Sequence, residues 1–126
     1  MQNKLNKRKI GQDKEKLACE YLKENGLEII ETNYRTVYEE IDIIAKEDNT
    51  LVFVEVKYRK NDKCGTPFES ISINKQRKIS LGAVAYIKNK HLIPDNTSIR
   101  FDAIGITGDN IIHIKNAFEF NATFIR

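Results

Sequence analysis

The sequence predicts an α/β fold in which a mixed sheet of about five strands is flanked by helices, in the order α-β-β-β-α-β-β. Two segments with helical periodicity and five β-rich apolar runs follow one another in this order. The 126 residues suffice for one hydrophobic core, and no linker or low-complexity tract divides them. We therefore expect a single domain over residues 1–126, with residues 1–10 as a flexible basic segment.

The first helix is predicted over residues 11–25. Apolar side chains recur there at helical spacing: Leu17, Ala18, Tyr21 and Leu22. Gly26 follows at a position where a helix C-terminus favours glycine. A strand over residues 28–33 is expected next.

Two β-rich runs, residues 40–46 and 51–58, are separated by the polar residues 47–50, which suit a hairpin turn. Residues 51–56 are nearly all apolar, as in a central strand that is covered on both faces. Glu55 interrupts this apolar run.

The second half of the chain predicts a helix and a further hairpin. Thr66, Pro67 and Glu69 form a capping-box pattern that predicts a helical turn. A longer helix is expected over residues 74–89, and its predicted buried stripe is Ile79, Ala83, Tyr86 and Ile87. Strands over residues 99–106 and 111–114 then flank a polar turn.

The net charge is only +3, but the basic residues are clustered. No acidic residue lies between Ser70 and Pro94, where five basic residues fall: Lys75, Arg77, Lys78, Lys88 and Lys90. A second cluster is N-terminal: Lys4, Lys7, Arg8 and Lys9. These clusters are equally consistent with a nucleic-acid-binding surface and with a solvated helix face beside a frayed tail.

The chain carries no pattern of a secretory signal or of a membrane-spanning segment. Cys19 and Cys64 lack the spacing of a zinc or redox motif, which favours reduced structural thiols. We expect a cytoplasmic protein with no membrane partner.

The first hairpin predicts a cluster of charges. Pairing across residues 47–50 sets Lys46 opposite Leu51, and the same register sets Asp42 opposite Glu55 and Glu40 opposite Lys57. All four outer side chains are then expected on one face of the sheet. Facing carboxylates about 5 Å apart destabilise a sheet unless a cation compensates them.

A divalent cation explains this arrangement, because carboxylate oxygens suit Mg²⁺ or Mn²⁺, which also bind phosphate. Asp42 and Glu55 are the predicted ligands, with Glu40 as a conditional one, and Lys57 is the predicted cationic group that contacts water or phosphate. The alternative is a cross-strand ion-pair network on a half-exposed sheet. We favour the metal site because a charge within an apolar strand is costly.

Two further carboxylates are weighed separately. Glu15 borders the core-facing stripe of the first helix, so it is either a member of the site or a first-turn glutamate favoured by the helix dipole. Asp102 is expected to be a strand-edge or salt-bridge residue.

These residues resemble the YraN-type family of bacterial proteins, which is related to the restriction endonucleases and archaeal Holliday-junction resolvases. The matching positions are Gly11, Glu15, Ala18, Tyr21, Leu22, Asn33, Arg35, residues 40–44, residues 52–57, Arg59, Gly65, Pro67, Lys75, residues 100–102, Ala117 and Phe118. Glu39 departs from the pattern, which usually has glycine there. The resemblance implies a restriction-endonuclease-like core.

The resemblance also implies that Asp42, Glu55 and Lys57 occupy the PD-(D/E)xK nuclease positions and that Glu15 adds a metal ligand. We therefore expect a Mg²⁺- or Mn²⁺-dependent DNA endonuclease of repair or recombination, with DNA favoured over RNA and a homodimer by analogy. Phosphate contacts are expected from Arg35, Arg59, Lys75, Arg77 and Lys78. The alternatives are a noncatalytic nucleic-acid-binding protein of nuclease-like fold and, less well supported by the basic clusters, a structural partner protein.

Overall fold

The computed structural model describes residues 4–59, 71–92 and 98–121. The elements are α1 (Lys4–Glu24), β1 (Glu28–Arg35), β2 (Glu40–Glu47), β3 (Thr50–Arg59), α2 (Ile73–Asn89), β4 (Ser98–Thr107) and β5 (Asn110–Phe118). The predicted α/β class and the order of elements are confirmed. Cys64 and the helical turn predicted at residues 66–69 lie outside the described residues. No helix in the described ranges is long and apolar enough to cross a membrane.

The five strands form one mixed sheet in the order β1-β2-β3-β4-β5. Neighbouring strands are antiparallel except β3 and β4, which run parallel. A parallel pair needs a crossover connection, and α2 lies within it. The mixed sheet that the sequence predicts therefore has β3 at its centre.

Helix α1 begins at Lys4, seven residues before the predicted start, so residues 4–10 are helical where a flexible segment was expected. Its C-terminus confirms the predicted glycine cap. Gly26 has a φ of +90°, and the Leu27 N–H donates to the Leu22 carbonyl at 3.0 Å. This bond pattern closes a helix with a left-handed residue, which glycine adopts without steric cost.

Each face of the sheet packs against one helix, as the apolar residues of β3 predict. Val52 and Val54 join α1 in one core cluster, whereas Leu51 and Phe53 join α2 in the other. The predicted helix stripes are confirmed, with Ala18, Leu22, Ile79, Ala83 and Tyr86 buried and Leu17, Tyr21 and Ile87 partly buried against the clusters. β3 is thus covered on both faces.

The β2–β3 turn is tighter, and strand β5 is longer, than the sequence suggests. Glu47 pairs with Thr50, so the β2–β3 turn has two residues rather than four, and Asp48 adopts a φ of +53° in it. β5 continues to Phe118, four residues past its predicted end, because Phe118 pairs with Phe101 beyond an irregularity in the register. The polar residues before Phe118 conceal this extension in the sequence.

Candidate functional site

The predicted β2–β3 register is confirmed from Lys46 opposite Leu51 to Ile43 opposite Val54, where the ladder ends. Asp42 and Glu55, predicted as the next facing pair, are not partners in the ladder. Instead, the Asp42 Oδ2 atom accepts the Val56 N–H at 2.8 Å. A carboxylate therefore takes the place of a backbone acceptor where the two strands part.

The expectation that four charged side chains share one face is wrong. Asp42 and Glu40 line a cavity on the α1 side, whereas Glu55 forms an ion pair with Lys75 of α2 on the other side. Strict alternation would place Asp42 on the side of Ile44, which packs in the α2 cluster. Alternation is broken between Ile41 and Ile44, which both pack in the α2 cluster, so Asp42 lies on the α1 side, where it accepts the Val56 N–H.

The cavity on the α1 side has a volume of about 550 Å³. Its lining is Gly11, Gln12, Lys14, Glu15, Asn33, Arg35, Glu40, Asp42, Val56 and Tyr58. Three of the predicted carboxylates, Glu15, Glu40 and Asp42, thus line the same cavity. This placement favours membership of the site over a helix-dipole role for Glu15, which lies in the middle of α1 rather than in its first turn.

Glu15 is held by a neighbour that the sequence did not single out as a site residue. The Asn33 side-chain amide donates to Glu15 Oε1 at 2.7 Å, and Asn33 has a left-handed φ of +52° within β1. Burial raises the pKa of Glu15, the Asn33 hydrogen bond lowers it, and the charge of Glu40 raises it, with a net upward shift. Asparagine tolerates this backbone conformation better than most residues.

Asp42 carries the strongest electrostatic perturbation of the site. Burial and the nearby charge of Glu55 raise its pKa from 3.8 to about 7, against the lowering effect of the Val56 amide. The charges of Asp42 and Glu55 therefore repel across the strand end even though the two side chains lie on different sides of the sheet. A cation placed at this point would relieve that repulsion.

Glu55 is buried, with 6% of its side chain exposed, and lies among ammonium groups. Lys57 Nζ is 3.5 Å from Glu55 Oε1, and Lys75 Nζ is 3.7 Å from the same atom. Lys75 also lies 3.3 Å from Glu39 Oε2. Burial disfavours the charge on Lys75, but the carboxylates of Glu55 and Glu39 outweigh it and raise its pKa.

The sequence assigned Lys75 to phosphate binding alone and did not predict these ion pairs. Its position three residues after the helix cap Ser72 is visible in the sequence, but its proximity to Glu55 depends on how α2 packs against the sheet. Glu39, noted only as a departure from a family pattern, proves to be the second partner of Lys75.

The other predicted basic residues are spread around this region. Arg35 is 88% exposed, with its Nε atom 3.8 Å from Glu40 Oε2. Arg77 donates to Asn74 on its own helix, and Lys78 is exposed. The Nε atom of Arg59 is buried and has no hydrogen-bond partner within the part of the chain that the structure describes.

Asp102 forms the salt bridge expected of it, but within the protein interior rather than at a strand edge. It is 0% exposed and accepts hydrogen bonds from Arg100 Nε at 2.8 Å and from the Asn116 N–H at 2.9 Å. His113 Nε2 lies 2.8 Å from its Oδ2 atom. These contacts join β4 to β5 and form a cluster separate from the candidate site.

The donor chemistry at the strand end fits a hard divalent cation, because Asp42 and Glu55 offer carboxylate oxygens there. These two residues can hold the ion, and Glu15 borders the same cavity as Asp42. In the described arrangement, no three Asp, Glu, His or Cys side chains of residues 4–59, 71–92 and 98–121 are grouped closely enough to hold a metal ion.

Comparison with known proteins places this chain in a family. A model described as "Uncharacterised protein family UPF0102" matches residues 14–106, which include Glu15, Asp42, Glu55 and Lys57. The chain belongs to this family. The YraN-type resemblance seen in the sequence is thereby confirmed.

Other UPF0102 proteins align with nearly the whole chain. A UPF0102 protein of Lachnoclostridium phytofermentans is 46% identical over 115 residues, which cover 91% of this chain and 97% of the relative. One from Thermodesulfovibrio yellowstonii is 44% identical over 109 residues, or 86% of this chain and 95% of the relative. One from Clostridioides difficile is 46% identical over 116 residues, or 90% of this chain and all of the relative.

Proposed function

We propose that this UPF0102 protein is a Mg²⁺- or Mn²⁺-dependent endonuclease of the PD-(D/E)xK type that hydrolyses phosphodiester bonds in DNA. The observation that carries the proposal is the end of the β2–β3 ladder, where Asp42 accepts the N–H of Val56, the residue next to Glu55, and Lys57 Nζ lies 3.5 Å from Glu55 Oε1. This combination of two acidic groups and a lysine matches the residues that the family resemblance assigns to a nuclease site.

Each residue has a role that follows from its position. Asp42 and Glu55 would hold the cation, and Glu15 would orient groups in the cavity that it shares with Asp42. A bound divalent cation supplies charge neutralisation of the phosphate and a water molecule of lowered pKa. Lys57, held 3.5 Å from Glu55, can turn its ammonium group to the attacked phosphate and stabilise its growing negative charge.

Binding of DNA would rest mainly on backbone phosphates. Arg35 and Lys78 are exposed, and Arg77 lies beside Lys78 at the start of α2. Contacts to phosphates position a duplex without reading its bases, so we expect selectivity for DNA structure, as in repair or recombination, rather than for sequence.

A cleavage assay with Lys57→Ala tests this proposal. The wild-type protein should cut branched, single-stranded or duplex DNA in Mg²⁺ or Mn²⁺ and be inactive in EDTA. Lys57→Ala should lower the rate by on the order of 10²-fold or more, because it removes a cationic group aimed at the phosphate. Lys23→Ala, an exposed lysine at the end of α1 that removes the same charge, should retain wild-type activity.

Cleavage that persists at the wild-type rate in Lys57→Ala would contradict the assignment and point to a contaminating nuclease. RNA substrates in the same assay decide between DNA and RNA as the nucleic acid that is cut.

The ion pairs of Glu55 favour a second candidate, a noncatalytic nucleic-acid-binding protein of nuclease-like fold. Lys57 and Lys75 both neutralise Glu55, so part of the site is balanced by protein charges alone. This candidate predicts salt-dependent DNA binding that is the same in Mg²⁺ and EDTA, together with no cleavage of any substrate.

A further inference from the structure

The ammonium group of Lys75 lies between two carboxylates: that of Glu39, in the loop between β1 and β2, and that of Glu55, in β3. Its Nζ atom is 3.3 Å from Glu39 Oε2 and 3.7 Å from Glu55 Oε1. Lys57 approaches the same Glu55 oxygen at 3.5 Å. Two ammonium groups therefore share one buried carboxylate oxygen, whereas Asp42 has no ion-pair partner within 4 Å among the described residues.

This distribution of charge is unbalanced. Both cationic groups lie on the Glu55 side of the strand end, and the Asp42 carboxylate interacts with Lys75 only at longer range. A divalent cation held jointly by Asp42 and Glu55 would bring two positive charges next to Lys75. Like charges at this separation repel strongly in a partly buried site.

We propose that Lys75 is the resident counter-ion of Glu55 that a divalent cation must displace, and that Glu39 is the carboxylate that retains Lys75 after this exchange. The inference rests on the proposed function, because it takes Glu55 as a ligand of the cation. The exchange needs little movement, since Lys75 already lies closer to Glu39 than to Glu55. Lys75 thus lowers the affinity of the site for a divalent cation. Glu39 weakens this effect, because it holds Lys75 after Lys75 leaves Glu55.

The loop that carries Glu39 is well suited to this role. The Thr36 hydroxyl donates to the Glu39 carbonyl at 2.8 Å and accepts the Glu39 N–H at 3.0 Å. These bonds hold the backbone of Glu39 in place between β1 and β2. The Glu39 side chain is 23% exposed and that of Lys75 is 28% exposed, so the ion pair between them is only partly screened by solvent.

Calorimetric titration of Mn²⁺ into the full-length protein tests the exchange. Lys75→Met should bind Mn²⁺ roughly five-fold more tightly than the wild type, because the competing ammonium group is gone. Lys75→Arg should retain the wild-type affinity, and Lys23→Met serves as the charge-matched control. A purely structural role for Lys75 predicts the opposite, namely weaker Mn²⁺ binding together with a lower melting temperature.

The role of Glu39 is tested by combining substitutions. Glu39→Gln should weaken Mn²⁺ binding in the wild-type background, because Lys75 then has only Glu55 as a partner. The same substitution should have a much smaller effect in Lys75→Met, where there is no ammonium group to retain. Equal effects of Glu39→Gln in both backgrounds would overturn the retention role of Glu39.

The outcomes separate this inference from the proposed function. Metal-dependent cleavage by the wild type, with unchanged Mn²⁺ affinity in a folded Lys75→Met variant, would overturn the exchange and leave the nuclease proposal standing. Tighter Mn²⁺ binding by Lys75→Met without any cleavage would support the exchange and contradict the nuclease. Absence of Mn²⁺ binding in both proteins would overturn both.

Discussion

Asp42 keeps a carboxylate in a place where its negative charge is unfavourable. Burial and Glu55 oppose ionisation, and the Val56 amide compensates only in part. Replacing this residue by asparagine would preserve a side-chain oxygen that can accept the Val56 N–H while removing the charge. The stability of the fold therefore does not explain this carboxylate, in agreement with the cation-binding role proposed for Asp42.

Asp42→Asn should stabilise the protein in EDTA at pH 8 by raising its melting temperature by on the order of 5 °C, because an unfavourable buried charge is removed. The same variant should lose any stabilisation that Mg²⁺ gives to the wild type. Thermal unfolding of both proteins with and without Mg²⁺ measures the two effects. A lower melting temperature of the variant in EDTA would contradict this explanation of Asp42.

The sequence could identify single site residues where a charged side chain interrupts an apolar run. Glu55 is conspicuous within an apolar strand, and the hairpin register brings Asp42 toward it. The sequence could not place these two side chains on different sides of the sheet, because that depends on a break in the strand alternation between Ile41 and Ile44. The ion pairs of Lys75, which the sequence assigned to phosphate binding, were not predictable because its two partners come from separate elements.

The N-terminus of α2 determines where Lys75 is held. The Ser72 hydroxyl caps this helix by accepting the Lys75 N–H at 3.1 Å. Farther along, a Cβ atom on Gly82 would lie 3.2 Å from the Thr36 side chain, so α2 packs close to the loop that carries Glu39. The Ser72 cap and the close contact at Gly82 therefore both fix the position of Lys75 relative to the loop that carries Glu39.

Ser72→Ala should lower the free energy of unfolding by about 1 kcal/mol, because a backbone N–H of the first helical turn loses its acceptor. Ser72→Asn should restore most of this stability, since asparagine is also a good N-cap residue. Urea denaturation measures both variants. Equal stability of Ser72→Ala and the wild type would show that another group caps the helix.

Elements were predictable where local patterns are strong. The periodicity of both helices and the glycine after α1 gave their buried stripes and one helix end correctly. The start of α1 was not predictable, because its first residues lack an apolar stripe. The parallel pairing of β3 with β4 joins residues such as Thr50 and Ser98 that are far apart in the chain, so no short segment encodes it.

At the scale of the whole molecule, an ionic network around the buried Asp102 joins three strands of the sheet. Asp102 of β4 binds Arg100, which in turn donates to Glu47 of β2 at 2.7 Å, and it also contacts His113 of β5. Burial raises the pKa of Asp102, but the hydrogen bonds from His113, Arg100 and the Asn116 amide outweigh it and lower the pKa overall. The network therefore connects β2, β4 and β5.

A lowered pKa means that Asp102 stabilises the fold above its unfolded pKa of roughly 3.9, and that this contribution is lost as the pH falls through the lower folded value. Asp102→Asn should cost about 3 kcal/mol at pH 7, because it removes the buried carboxylate that pairs with the Arg100 guanidinium. The difference from the wild type should shrink near pH 3.

Urea denaturation at pH 7 and at acid pH checks this prediction. Asp109→Asn, at a fully exposed aspartate in the β4–β5 turn, is the matched control and should leave the stability unchanged at both pH values. A constant difference between Asp102→Asn and the wild type across this pH range would show that the charge of Asp102 is not responsible.

The parallel contact between β3 and β4 also sets an order in which the chain can assemble. Glu15, Asp42, Glu55 and Lys57 all belong to α1 and to a hairpin of neighbouring strands, whose contacts close short loops. β4 can join only after the whole crossover has been made, and such distant pairings form slowly. On a growing polypeptide, Glu15, Asp42, Glu55 and Lys57 are therefore all made, and their hairpin can close, before Lys75 has been added to the chain.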